Sequence, residues 1–182
     1  MREKEYLDML DEEAKKLYKS AVKKLKYKET EGLEQDFLEI IKTYTNFVPA
    51  YNKLGVLYIY INDKKKAEEY FNEAVALDRE FAPSLSNLGS LAKEAGHIEE
   101  AKQYYERAIA ADEEYGVAYN NLAVIYREEG NYHQSVKYIK KAKKYNHNIF
   151  DADVDKPLYK EPGCIFIFLL ILAIIITFYL LM

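Results

Sequence analysis

VPAYNKLGVLYIYINDKKKAEEYFNEAVALDREF, Val48 to Phe81, decides the fold, because its pattern returns twice without a gap. APSLSNLGSLAKEAGHIEEAKQYYERAIAADEEY fills Ala82 to Tyr115, and GVAYNNLAVIYREEGNYHQSVKYIKKAKKYNHNI fills Gly116 to Ile149. Each stretch is 34 residues long. A fixed period of this size sets the architecture before any single helix is assigned, since each unit can bury its apolar face only against its neighbours.

The positions that recur say what each unit is. Leu54, Leu88 and Leu122 are followed directly by the small residues Gly55, Gly89 and Ala123, and Tyr58, Ala92 and Tyr126 stand three places further on. That is a first helix with a large residue beside a notch. Ala67, Ala101 and Ser135 precede Phe71, Tyr105 and Ile139 by four places, and these precede Ala74, Ala108 and Ala142 by three. Spacings of three and four mark one face of a second helix. Small side chains at these places let the two helices approach closely while the aromatic rings fill the space between them. Asn62-Asp63, Gly96-His97 and Gly130-Asn131 separate the helices with residues suited to helix ends and tight turns. Pro49 and Pro83 fall near the start of a first helix, where a missing N–H costs nothing.

The set resembles the tetratricopeptide repeat: leucine and a small residue, an aromatic three beyond, then alanine, aromatic and alanine on the second helix. The resemblance covers residues 48–149 in three in-phase copies. It implies an all-α, right-handed solenoid of helical hairpins. The chain departs from the family pattern in one respect, with Arg79, Glu113 and His147 standing where a proline is common near the repeat end.

The resemblance also implies where a partner binds, on the inner face of the first helices. By repeat position that face holds Asn52, Val56 and Ile59, then Ser86, Asn87, Ser90 and Lys93, then Asn120, Asn121, Val124 and Arg127. Side-chain amides can both donate to and accept from a peptide backbone whatever its sequence. Asn87 and Asn121 have an alternative role, tying neighbouring repeats together. The family branch that grips the terminal carboxylates of chaperones needs a basic residue where this chain has Val117 and Asn121, so chaperone-tail binding is not expected.

Ahead of the repeats, Leu7, Leu10, Ala14, Leu17 and Ala21 recur by three and four. They predict an amphipathic helix over about 5–28, and Phe37, Ile40, Ile41 and Tyr44 predict a shorter partner for it. Residues 1–47 therefore read as an N-terminal helical pair, a degenerate repeat capping the array.

After the repeats, residues 150–163 read as a short stiff linker with two prolines, Pro157 and Pro162. Residues 164–182, CIFIFLLILAIIITFYLLM, carry no charge over nineteen positions. At a rise of ~1.5 Å per residue such a helix spans on the order of 28 Å, close to the ~30 Å hydrocarbon core of a bilayer. It is expected to be a single transmembrane helix, and with Met182 last in the sequence it reads as a tail anchor that leaves the body in the cytosol. Lys156 and Lys160 on the near side agree with that orientation. The Lys-, Ile-, Asn- and Tyr-rich composition points to an AT-rich genome and hence to a bacterial cytoplasmic membrane.

Composition excludes several kinds of function. With 26 basic and 30 acidic residues there is no basic footprint for nucleic acid. Cys164 is the sole cysteine, which rules out an internal disulfide and cysteine-based metal sites. No phosphate-cradling glycine loop and no HExxH motif is present, and His97, His133 and His147 read as solvated. Neither a metal, a cofactor, a catalytic group nor a small-molecule substrate is expected. Charge is uneven along the array: residues 82–115 carry 3 basic and 7 acidic side chains, residues 116–149 carry 6 and 2. The function expected is a non-catalytic, membrane-tethered adaptor that binds a protein or peptide at the cytosolic face. Its rival is a structural subunit of a membrane complex.

Overall fold

The computed structural model describes residues 3–145, which form helices joined by short turns. Three helices come before the repeats: α1 (Glu3–Leu7), α2 (Glu12–Lys26) and α3 (Leu33–Thr43). The repeats follow as three hairpins, α4 (Val48–Tyr60) with α5 (Lys64–Leu77), α6 (Ala82–Glu94) with α7 (Ile98–Ala111), and α8 (Gly116–Glu128) with α9 (Tyr132–Tyr145). Within each hairpin the helices pack together, and α5 then packs on α6 and α7 on α8. The array is a helical-hairpin solenoid. Residues 150–163 and 164–182, the linker and the apolar stretch, lie outside the described residues, as do His147 and Cys164. Among the described residues no helix is long and apolar enough to cross a membrane.

Each hairpin turns in the same way. Asn62, Gly96 and Gly130 have φ of 64°, 85° and 78°. In that left-handed region the chain reverses while the next amide reaches back to the helix: Asp63 N donates to Tyr58 O at 2.8 Å, His97 N to Ala92 O at 2.9 Å and Asn131 N to Tyr126 O at 2.8 Å. Two of the second helices then start on side-chain caps, with Asp63 accepting from Lys66 N at 3.1 Å and Asn131 from Gln134 N at 3.2 Å. Pro49 and Pro83 sit in the first turns of α4 and α6.

The notches hold the hairpins shut. A Cβ on Gly55 would overlap the Phe71 ring, and one on Gly89 would lie 2.8 Å from Tyr105 Cε1. Phe71 and Tyr105 are both fully buried. In the last hairpin Ala123 replaces the glycine and Ile139 the ring, and Ser135 replaces the alanine of the other repeats. The buried Ser135 hydroxyl donates to Ala123 O at 2.8 Å, so the exchange adds a bond between α8 and α9.

The turns between repeats do without proline. Asp78 and Asp112 accept from the amides two residues on, at Glu80 and Glu114, each at 3.0 Å. Their carbonyls accept from Phe81 N at 3.1 Å and Tyr115 N at 3.0 Å. An aspartate-based turn thus fixes the chain before α6 and α8.

One expectation needs correcting. The helix predicted over about 5–28 is two helices, broken at Asp8–Asp11. Asp11 accepts from Ala14 N at 2.8 Å and caps α2, which ends the upstream helix even though the apolar spacing runs straight through. The break lets α1 turn away from α2 and reach α4.

Candidate protein-interaction face

The first helices α4, α6 and α8 lie side by side, linked through the residues expected to form the inner face. Asn52 Oδ1 accepts from Ser84 Oγ at 3.0 Å and from Asn87 Nδ2 at 2.9 Å. One repeat along, Asn121 Nδ2 donates to Ser86 Oγ at 3.4 Å. An asparagine on α6 and another on α8 therefore each reach back to a polar residue on the first helix before them. Asn52 and Ser86 are buried and Ile59, Ser90 and Arg127 are exposed, while Val56, Asn87, Lys93, Asn120, Asn121 and Val124 are half-buried. Among the described residues no buried polar side-chain atom lacks a partner.

Some of the more accessible positions are engaged as well. Ser90 Oγ donates to Ser86 O at 3.1 Å and lies 3.2 Å from the Tyr105 hydroxyl. Lys93 pairs with Glu128 at 2.9 Å between the ends of α6 and α8. What faces outward is thus a mixed surface of amides with spare valences, short aliphatic side chains and the Arg127 guanidinium. It can hold a peptide by backbone bonds and by one or two side chains.

Ion pairs stiffen the array around this face. Lys102 bridges Glu129 at 2.6 Å and Glu99 at 2.9 Å, and the two bonds raise its ammonium to about 12. Burial pushes the Tyr115 phenol, just before α8, up to about 12. Tyr18, Tyr58 and Tyr105 are also raised, chiefly by burial. The Tyr18 hydroxyl donates to Glu3 at 2.6 Å and that of Tyr58 to Glu34.

Among the described residues no group of His, Cys, Asp and Glu is placed to hold a metal ion. His97 and His133 are exposed, with His97 lying 3.5 Å from Glu100.

Helical hairpins of equal length, stacked in register and tied through their first helices, define an α-solenoid repeat protein. The tetratricopeptide repeat matches this chain over residues 48–81 and again over residues 92–156. The chain carries tetratricopeptide repeats, a fold that typically serves as a protein-interaction scaffold. Solved structures with the same fold include MamA, at 23% identity over 79% of this chain and 84% of that one, with a TM-score of 0.58. Pseudomonas aeruginosa pilF aligns at 22% identity over 80% of this chain and 64% of that one, with a TM-score of 0.63. TTC0263, a thermophilic TPR protein of Thermus thermophilus, aligns at 17% identity over 80% of each chain, with a TM-score of 0.66. At these identities the likeness shows the fold alone. No curated protein matches the chain in sequence.

Proposed function

We propose that the chain is a membrane-tethered scaffold that holds a protein or peptide partner along α4, α6 and α8 at the cytosolic face of a bacterial membrane. The observation that carries the reading is the outward surface of those helices, where Asn120, Asn121 and Val124 stand half-exposed beside Arg127. Support for the tether comes from residues 164–182, uncharged over a length that suits a bilayer core. Chemistry is left to whatever is recruited.

Crosslinked pull-down from membranes, with wild type and Arg127→Glu compared, tests the recruitment. Loss or exchange of the captured partner according to its charge is the expected result. Deleting residues 164–182 should release the chain from the membrane fraction, and protease added on the cytosolic side should digest the body. A partner that ignores Arg127→Glu and Asn121→Ala but is lost on substitution within 164–182 would make the chain a structural subunit of a membrane complex instead.

A further inference from the structure

α1 occupies ground that a ligand would use. Its Tyr6 ring is 3% exposed. It meets Phe47 and Phe81 edge-on at centroid distances of 6.3 and 5.8 Å, and its hydroxyl donates to Asp78 Oδ2 at 2.6 Å. Glu3, on the same helix, lies 3.8 Å from Lys53 Nζ on α4, next to Asn52. Phe47, Phe81 and Tyr115 hold the same place one period apart, each directly before the first residue of α4, α6 or α8. Tyr6 covers the first two. The third borders an open cleft of about 570 Å³, where Glu3 and Glu5 of α1 meet Phe81 and Tyr115 together with the carboxylates of Glu80, Asp112 and Glu113.

Little besides this docking keeps α1 in place. It has five residues, far below the dozen or so that an isolated helix needs in water. The fold beyond it starts independently, because α2 has its own cap at Asp11. One ring, one phenol bond, Leu7 packed against the core and the Glu3 carboxylate, which also accepts from the Tyr18 hydroxyl at 2.6 Å, are what α1 offers the array, and all of these a separate peptide could supply.

We propose that α1 is a displaceable plug: the row of Phe47 and Phe81, with Asp78 and Lys53 beside it, is a docking site for a short acidic helix bearing a tyrosine, filled in the free chain by Glu3–Leu7. A partner segment of that chemistry must expel α1, so its apparent affinity is reduced by the fraction of chains in which the site stands open. The inference rests on the reading of the first helices as the binding face, and it adds what kind of peptide fits and what holds the face closed.

The probe is a fluorescent peptide of residues 1–10, MREKEYLDML, offered to the full chain in detergent and to its Tyr6→Ser variant. The variant should bind at least about tenfold more tightly than wild type, as expected when a mostly filled site is emptied, and the peptide bearing Tyr6→Ala should bind neither. A folded Tyr6→Ser chain that binds no more peptide than wild type overturns the proposal. Should that variant not fold, hydrogen exchange on the wild type decides: amides of residues 3–10 must exchange well before those of α4 and α6, and exchange only with global unfolding makes α1 part of the core. Arg127 lies at the opposite end of α8, so its effect on partner capture stands or falls separately.

Discussion

Asn87 Nδ2 and Ser84 Oγ converge on one oxygen, and the 2.9 Å bond from Asn87 to Asn52 Oδ1 joins α6 to α4 through side chains alone. Asn52 is 4% exposed, and Ser84 is fully buried. Replacing Asn52 with Ala strands a buried hydroxyl and should cost about 1–3 kcal/mol, whereas Asn87→Ala removes one bond of about 1 kcal/mol. Asn121→Ala, whose bond to Ser86 is longer at 3.4 Å, should cost least. Thermal melts of the three variants check the order, and a larger loss for Asn121→Ala than for Asn52→Ala would contradict it.

Gly55→Ala and Gly89→Ala set two effects against each other. Alanine gains up to about 1 kcal/mol of helix propensity over glycine. The added methyl, however, must displace a buried ring, and overpacking of this kind costs about 1–3 kcal/mol. Both variants should be destabilised on denaturant titration, Gly55→Ala more, because its Cβ would penetrate the Phe71 ring further than the Gly89 Cβ penetrates Tyr105.

Stability should fall as the solution is made alkaline. The phenols of Tyr18, Tyr58, Tyr105 and Tyr115 are all raised above their ordinary value of 10.0, and the Lys102 ammonium is raised from 10.5 to about 12. A group that keeps its proton longer in the fold than in the unfolded chain stabilises fully below its unfolded pKa and ceases to do so as pH climbs through its folded one. The loss therefore begins near pH 10, with Tyr115 and Lys102 spent at about 12. Circular dichroism melts across that range should show the decline, and Tyr58→Phe should make it shallower. A melting temperature that stays flat to pH 12 would sink the idea.

The outer side of α9 presents Lys137, Lys140, Lys143 and Lys144 beside Tyr132 and Val136, which are 68% and 51% exposed. Basic side chains interleaved with exposed apolar ones suit an anionic membrane surface, at roughly 1 kcal/mol per lysine close to the head groups. Residues 1–163 should therefore sediment with phosphatidylserine vesicles at low salt and be released at high salt. Binding that is absent, or indifferent to salt, removes α9 from the membrane surface.

The repeats are legible in the sequence because periodicity is a property of the string itself. Leu54, Gly55 and Phe71 take their structural places in the hairpin from spacing alone. What escapes is whatever depends on a partner far along the chain. Tyr6 bonds to Asp78 across 72 positions, and nothing near Tyr6 announces it. The break between α1 and α2 did leave a sign, Asp11 followed by two glutamates, but the apolar spacing of Leu7, Leu10 and Ala14 hides it by crossing the cap in phase. The repeat-end turns left one too, in Asp78 and Asp112 one period apart. For Asn87 and Asn121 the sequence leaves open whether they face a ligand or a neighbouring repeat. That depends on the offset between hairpins, which packing sets.

The asparagine links also bear on how this gene could change length. Asn87 reaches Asn52, and Asn121, one period on, reaches Ser86. Excising residues 82–115 as a block would bring Asn121 opposite Asn52, the pairing Asn87 makes now. Duplicating the same block would set the copy's Asn87 opposite the original Ser86, the pairing Asn121 makes now. Unequal recombination within the 34-residue period would thus hand down the same polar link between first helices in either direction, so the number of hairpins can drift while that link is kept.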